Sequence, residues 1–336
     1  LISLILIFFV STFSNNDAKT TMYVVILGAG TIFQSFETID FFFQSKVLAK
    51  YVSACKLIQL SISSIVKVFL VVSKKDLFWF VLANFLDQVT LAISLYFAYR
   101  TRGNKAFFKK FELMTAKNLL ADSWPLILSS LMVIIYMRID QIMIKQMLNS
   151  EAVGQYAAAV KVSEIWNFVP VLIVNSLFPA IISAKKISES LYYQRLQQLY
   201  TLLFWISVCF ALPITLLSKS LINILFGHKY MEAASILVIH VWTGVFISFS
   251  AASARWYILE GLSVVQFYRQ LFGAIICIFL NFLLIPPMGT IGAAVSTLIS
   301  YFCASYLFDL FSKNTRICLL QKTYSILFKG LLKQAR

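Results

Sequence analysis

Charged side chains are scarce in this sequence. They make up 13% of its 336 residues, whereas hydrophobic residues make up 60%. A soluble domain carries roughly a quarter charged residues, so the mean hydropathy of +0.82 excludes an ordinary water-soluble protein. The composition predicts a chain that lies in a membrane.

Motifs for metals, disulfides and nucleotides are also missing. The five cysteines form no CxxC pair, and His228 and His240 lack the spacing of metal ligands. No GxxxxGKS/T phosphate loop occurs, and the GAG at 28–30 lacks the third glycine of a dinucleotide-binding turn. The sequence therefore predicts no metal, no cofactor and no ATP hydrolysis by this chain.

Acidic residues are few, with 14 of them against 29 lysines and arginines. The basic residues stand in short blocks between apolar runs and form no continuous basic face, and no nucleic-acid-binding motif accompanies them. Positive flanks on one side of a membrane explain the same excess. Nucleic acid is therefore not expected as a partner, whereas membrane lipids are.

Long apolar runs dominate the chain. A helix needs about 20 apolar residues to cross a bilayer, and such runs predict spans at 21–42, 52–72, 77–99, 119–141, 155–178, 199–218, 233–257, 265–286 and 288–311. A shorter run at 1–14 begins without Met and lacks the features of a signal peptide. It predicts a partial helix in a chain that is incomplete at its N-terminus. The fold class is thus an all-α integral membrane protein of about ten transmembrane helices.

The loops between these spans predict the orientation. With the C-terminus inside, 18 lysines and arginines fall in loops or tails on the inner side and six on the outer side. Cytoplasmic loops carry such an excess. The chain is therefore expected to be a multi-pass protein of the bacterial inner membrane with a cytoplasmic C-terminus.

The polar segments divide the chain. Residues 1–99 are expected to form an incomplete lobe and residues 119–311 a complete six-helix lobe. Residues 100–118 are expected to be the basic cytoplasmic linker between them, although a plain topology-setting loop explains this segment equally well. Residues 312–336 carry six basic residues and apolar residues at helical spacing. They predict an amphipathic cytoplasmic tail on the inner membrane surface.

Charged residues inside the spans are candidate functional groups, because a charge at bilayer depth costs at least about 2.5–3.5 kcal/mol. Arg138 and Asp140 are two residues apart and cannot pair within one helix, so at least one of them finds a partner elsewhere, reaches the interface or lines a water-filled cavity. Lys161 and Glu164 share a helix face. They are either a self-neutralising ion pair or a switchable pair that frees Lys161 for an anionic headgroup.

Three further charged sets fit more than one interpretation. Lys67 and Asp87 lie on consecutive helices, and an ion pair is favoured; Asp87 and Glu164 are also candidates for ion coupling. Arg255 and Arg269 lie near inner helix ends, where they can meet a diphosphate or lipid headgroups.

Four stretches carry a family resemblance: TIFQSFETIDFFFQSKVLAKY (31–51), YMRIDQIMIKQMLNSEAVGQYAAAVKVSEIW (136–166), FGHKYMEAASILVIHVWTGVFISFSAASARWYILEGL (226–262) and NFLLIPPMGTIGAAVSTLISY (281–301). In order and spacing they resemble the O-antigen and polysaccharide flippases of the multidrug/oligosaccharidyl-lipid/polysaccharide exporter superfamily. The resemblance makes the acidic pair Glu37 and Asp40 notable, although both residues also suit a membrane interface.

The resemblance implies a twelve-helix, two-lobe transporter around a central cavity. It further implies that the chain is not an enzyme and moves an undecaprenyl-diphosphate-linked oligosaccharide, the O-antigen repeat unit, from the inner to the outer leaflet by alternating access. The cavity candidates are then Arg138, Asp140, Lys161, Arg255 and Arg269. An O-antigen polymerase and a chain-length regulator are candidate partners.

Two alternatives stay open at this point. An O-antigen polymerase or another membrane glycosyltransferase needs a sizeable outward loop, and the predicted outward loops are short. A drug/cation antiporter of the same superfamily favours buried carboxylates over cavity cations. The sequence does not identify the glycan, the coupling ion or the oligomeric state.

Overall fold

A computed structural model describes residues 18–45, 48–101 and 112–327, and the partial helix expected at 1–14 lies outside this part of the chain. The chain divides into two compact units at residues 111 and 112. All regular elements in the described part are helices.

The first unit contains four α-helices and one short 3-10 segment, Phe33–Glu37. The α-helices are α1 (Ala18–Gly30), α2 (Thr38–Ser45), α3 (Ala49–Val72) and α4 (Leu77–Thr101). The run predicted as one span at 21–42 is therefore broken by a tighter 3-10 turn. Helices α3 and α4 form an antiparallel hairpin, whose turn contains Lys74 at a positive φ of 50°.

The second unit contains eight α-helices in the described part of the chain. They are α5 (Leu113–Met147), α6 (Ser150–Glu164), α7 (Phe168–Ile187), α8 (Glu189–Phe226), α9 (Glu232–His240), α10 (Thr243–Leu259), α11 (Ser263–Ser305) and α12 (Arg316–Ile326). Caps fix two of the starts, because the side chains of Asn149 and Ser188 accept hydrogen bonds from Ala152 N and Leu191 N.

Helix α11 is a hairpin of two antiparallel limbs. Its 43 residues form too long a rod for one crossing at 1.5 Å per residue, and the backbone reverses at Gly289, which has φ 61° and ψ −140°. Across the hairpin, Gly273 lies against Ala304 and Gly292 against the Leu284 carbonyl. The two spans predicted at 265–286 and 288–311 are therefore the limbs of this hairpin.

The outer surface is apolar. Val72 of α3 is 76% exposed, and Leu216 and Ile224 of α8 are 83% and 79% exposed. Eight stretches in the described part are long and apolar enough to cross a membrane, and one of them contains the hairpin. These eight candidate spans agree with the prediction of an all-α, multi-pass membrane protein, which is confirmed.

Gly292 provides a test of the hairpin. A methyl group at this position would overlap the Leu284 carbonyl oxygen, so Gly292→Ala is expected to lower the free energy of unfolding by at least about 2 kcal/mol. The measurement is thermal unfolding in detergent. Gly154→Ala is the matched control, because its methyl group meets nothing nearer than Tyr230 Cε1 at 3.9 Å. Equal unfolding temperatures for both variants would contradict the close approach of the limbs.

Candidate functional site

Asp140 is the centre of a buried polar cluster in the second unit. It lies in α5 and is 2% exposed. Its Oδ2 accepts hydrogen bonds from Tyr156 Oη at 2.8 Å and Thr297 Oγ1 at 2.6 Å. Its Oδ1 accepts from Asn281 Nδ2 at 2.5 Å and Cys277 Sγ at 3.2 Å. Each carboxylate oxygen is therefore held by two neutral donors.

The donors come from two helices, one of which contributes both of its limbs. Tyr156 lies on α6, Cys277 and Asn281 on the first limb of α11, and Thr297 on the second limb. In the described part of the chain, no lysine or arginine lies within ion-pair distance of Asp140. A buried charge without an opposite charge depends on such hydrogen bonds, so these four donors stabilise the carboxylate at its buried position.

Arg138 and Glu164 approach each other beside this cluster. Arg138 Nη2 lies 4.0 Å from Glu164 Oε2, with side chains 56% and 25% exposed. Lys161 is exposed, and no ion pair involves it among the residues that the structure describes. The hypothesis of a Lys161–Glu164 pair is therefore wrong. The partner of Glu164 comes from the neighbouring helix α5, which sequence spacing does not show.

Two adjoining cavities lie in this unit, and the larger one is open to its surroundings. The smaller, next to Asp140, Glu164 and His240, has a volume of 10 Å³, about the room of one water molecule. The larger, of 340 Å³, carries hydroxyl and amide side chains among its apolar lining. Both cavities are bordered by Met137, Asn167, Ile247 and Tyr301. A polar group in the larger cavity is therefore close to the Asp140 cluster.

Arg269 and Arg255 have opposite environments. Arg269 is fully buried at the start of α11, where Nη2 donates to Ser250 Oγ at 2.9 Å and the guanidinium lies over the Tyr257 ring at 5.1 Å. Its Nε and Nη1 have no hydrogen-bond partner within the described ranges. Arg255 is exposed and donates to Asn175 Oδ1 at 2.8 Å. Only Arg255 is directly accessible to a headgroup at the surface.

A second buried network begins at Tyr257. Its hydroxyl donates to Asp309 Oδ1 at 2.6 Å, and Asp309 Oδ2 forms an ion pair with Lys322 of α12 at 2.7 Å. Both charged side chains are fully buried. Burial also raises the pKa of the nearby Cys318 thiol.

The tail helix α12 packs its polar side, and not its apolar side, against the rest of the protein. Gln321, Lys322 and Ser325 are the packed residues of α12, whereas Leu320 and Tyr324 are exposed. Its polar side contacts α8, where Gln197 donates to Ser325 Oγ at 2.9 Å. The position of the tail at the inner membrane surface stays a prediction, and its end at 328–336 lies outside the described residues.

Four charged residues of the first unit form two ion pairs. Lys67 and Asp87 are 2.7 Å apart, which confirms the predicted pairing, and Ser63 also donates to Asp87 at 2.8 Å. Asp40 is buried and paired with Lys56 at 2.6 Å. Glu37 is exposed, so the two members of the predicted acidic pair have different surroundings.

Sequence reasoning did not identify the neutral residues around Asp140 and the larger cavity. They are Tyr136, Tyr156, Ser250, Gln266, Gln270, Asn281 and Thr297. The available signal was a polar side chain within an apolar span, as at Asn281 in IFLNFLLI. Uncharged polar residues are common enough in membrane helices that this signal alone does not single them out.

Comparisons with known proteins support the membrane assignment. A family described as "Polysaccharide biosynthesis protein" matches residues 1–185. An uncharacterized membrane protein, MJ1068 of Methanocaldococcus jannaschii, is 36% identical over 84 residues, which are 24% of this chain and 16% of that protein. The match thus spans about a sixth of this curated relative.

A solved structure shares the fold. The lipid II flippase MurJ, in its inward closed conformation, matches with a TM-score of 0.67 at 13% identity, over 99% of this chain and 74% of that chain. Similarity at this level of identity shows the fold alone. The shared fold is built from many helices, in agreement with the predicted all-α fold class.

Proposed function

The chain belongs to the polysaccharide biosynthesis protein family, and from this membership we propose that it carries a lipid-linked saccharide across a membrane. The specific cargo we propose is the undecaprenyl-diphosphate-linked O-antigen repeat unit, moved from the inner to the outer leaflet of the bacterial inner membrane. The proposal depends on one observation: hydroxyl, amide and charged side chains surround adjoining cavities within helices whose outer surface is apolar.

The physical task is to replace the water around a charged, hydroxyl-rich headgroup while its lipid tail stays among the acyl chains. Arg138 is suited to the diphosphate, because it is more than half exposed and its pairing with Glu164 is loose at 4.0 Å. An arginine fork can bind phosphate oxygens through two hydrogen bonds. Arg255 and Lys161 are also exposed and supply positive charge without an acidic partner in the described residues.

Asp140 is the residue at which we propose that an ion or proton acts. Asp87 and Glu164, the two coupling candidates from the sequence, each have a cationic neighbour. Asp140 has only neutral donors. Binding of a proton or cation at Asp140 changes those four hydrogen bonds. This change couples ion binding to the equilibrium between the state in which the cavity opens to one side of the membrane and the state in which it opens to the other.

The inner-membrane location, the cytoplasmic C-terminus and the polymerase and chain-length regulator as partners are part of this proposal. They are supported by the excess of basic residues in alternate loops and by the proposed cargo. A cationic drug as substrate is disfavoured, because Arg138, Lys161 and Arg255 would repel it.

Complementation tests the function. The protein expressed from its complete gene is expected to restore surface O-antigen in a strain that lacks its own flippase. Arg138→Ala is expected to reduce this surface O-antigen about tenfold at native expression, because it removes one charge-assisted hydrogen bond. Lys161→Ala is expected to reduce it less. Lys219→Ala is the control, since Lys219 is exposed and has no ion pair among the described residues.

Two results would contradict the proposal. Full activity of Arg138→Ala would remove this arginine from the headgroup path. Extension of glycans by the purified protein, without movement of lipid-linked saccharide between leaflets, would instead favour a polymerase.

A further inference from the structure

A groove runs along the surface of the second unit, between α7 and α8. Its volume is 560 Å³, within the range of about 300–1,000 Å³ that small-molecule sites have. Its floor consists of buried residues, since Ile181, Ala184 and Leu199 are 3%, 5% and 2% exposed. Its edges are apolar and open, as at Leu177 and Leu202, which are 41% and 40% exposed. The groove is therefore a deep apolar recess.

The length of the groove matches one leaflet of a bilayer. Small side chains at Ala180 and Ala184 of α7 leave room opposite the leucines of α8. Ser188 alone joins the two helices, so the groove begins beside this turn, at Leu191. From Leu191 to Leu202 it extends about 16 Å at 1.5 Å per residue. The hydrocarbon core is about 30 Å thick, so the groove is as long as one leaflet is deep.

Polar side chains interrupt the apolar wall near the turn. Arg195 and Gln198 line the groove and are accessible. Arg195 Nη1 donates to Gln198 Oε1 at 3.3 Å, and neither its other N–H groups nor the amide hydrogens of Gln198 donate to any described residue. The hydroxyl of Ser183 donates within its own helix, to the Pro179 carbonyl at 3.1 Å. The wall thus offers a guanidinium and an amide as free donors.

This end of the groove carries positive charge. In the described part of the chain, no acidic group lies within ion-pair distance of Arg195 or of the exposed Lys186 at the same turn. Lys185 is paired with Glu260 at 2.6 Å. Glu189 lies in the first turn of α8 but does not line the groove. The groove therefore has a cationic end and an apolar remainder.

These two parts fit an amphiphile with a phosphate. A guanidinium binds phosphate oxygens through two hydrogen bonds, whereas a free phosphate would leave the apolar recess unfilled. A glycerophospholipid joins a phosphate to acyl chains that are about one leaflet long. The groove shares no lining residue with the two cavities near Asp140, and the cargo headgroup has to enter a cavity. The separation favours a resident lipid of the membrane over the cargo.

We propose that this groove binds an anionic phospholipid such as phosphatidylglycerol, with its phosphate at Arg195 and one acyl chain in the recess. In the proposed orientation the α7–α8 turn is cytoplasmic, and basic pockets between helices on that side bind anionic headgroups. The lipid fills the space that the small residues of α7 leave, and it neutralises an arginine within an apolar surface. The site lies outside the cargo path, so its test does not depend on the proposed function.

Two lipids with identical acyl chains test the headgroup part of the site. The complete protein in detergent is titrated with phosphatidylglycerol and with phosphatidylcholine, whose choline cation cancels the charge of its phosphate, and native mass spectrometry counts the bound lipid. The wild type is expected to bind phosphatidylglycerol about tenfold more tightly, as for one charge-assisted hydrogen bond. Arg195→Gln is expected to abolish this preference. Lys219→Gln is the control, because it removes an exposed positive charge from the same helix outside the groove.

A second variant tests the acyl-chain part. Ala180 is exposed, so Ala180→Leu fills the recess without disturbing the core. It is expected to weaken binding of both lipids about tenfold, the value of burying a side chain of that size, while the preference for phosphatidylglycerol stays. Ala121→Leu is the control, because Ala121 is exposed on α5 and lies outside the groove.

Several results would overturn the proposal. A wild type without a preference, or an equal effect of Arg195→Gln and Lys219→Gln, would show general attraction of anionic lipid and no site. Unchanged binding by Ala180→Leu would place the acyl chain elsewhere. Competition separates the possible sources of the phosphate. Displacement of phosphatidylglycerol by an equal concentration of undecaprenyl diphosphate would assign the groove to the cargo, and displacement by inorganic phosphate would reduce it to an anion site.

Discussion

Lys322→Met is expected to lower the free energy of unfolding by about 3–5 kcal/mol, because it leaves a buried carboxylate without its partner. Lys322 and Asp309 are both fully buried and 2.7 Å apart. The ammonium group also donates to the Ser305 carbonyl at 2.6 Å, so the substitution removes two charge-assisted hydrogen bonds. The measurement is denaturant or thermal unfolding of the complete protein in detergent.

Two further variants make the cause identifiable. Lys313→Met changes an exposed lysine three residues before α12 and is expected to alter stability by no more than about 0.5 kcal/mol. Lys322→Met combined with Asp309→Asn removes both charges and keeps an acceptor for Tyr257, so most of the loss is expected to be recovered. A single Lys322→Met variant as stable as the wild type would contradict the buried ion pair.

Asp140→Asn is expected to reduce transport by about 10- to 100-fold, which corresponds to the loss of hydrogen bonds to a charged group. The amide nitrogen of asparagine cannot accept from either pair of donors that now bind the two carboxylate oxygens. The substitution also removes the carboxylate of the cluster, which is the group that can hold a cation by charge. Complementation in the flippase-deficient strain measures the effect, with the amount of protein in the membrane determined in parallel.

Asp122→Asn is the control for this variant. Asp122 lies on the same helix but is exposed, so normal activity is expected. Wild-type transport by Asp140→Asn at equal protein levels would exclude Asp140 as the coupling group. Loss of the protein from the membrane would show that the cluster maintains the fold, and unfolding in detergent then gives the size of that contribution.

The sequence predicted the crossings well, because the bilayer requires a long apolar run for each helix. Helices α3 and α4 begin and end within about three residues of the predicted spans. The ends of α5 and α8 extend much further than their spans, to Met147 and Phe226, since a helix can continue into the polar region where the apolar signal stops.

The sequence predicted a contact between helices only where the two helices are neighbours in one hairpin. Lys67 and Asp87 lie on the two helices of one hairpin, so their depths could be compared directly. The partners of Asp140 are up to 157 residues away in the chain, and Arg269 meets Ser250 of another helix. Depth along a helix can be counted from the sequence, but the direction in which a side chain points depends on how the helices pack.

The Asp140 cluster has a mechanical consequence. One carboxylate is bonded at the same time to α6 and to both limbs of the α11 hairpin, and it belongs itself to α5. These four segments cannot slide past one another singly without breaking bonds to the same pair of oxygens. As long as those bonds hold, the segments move as one rigid block, and a chemical event at Asp140 acts on all of them together.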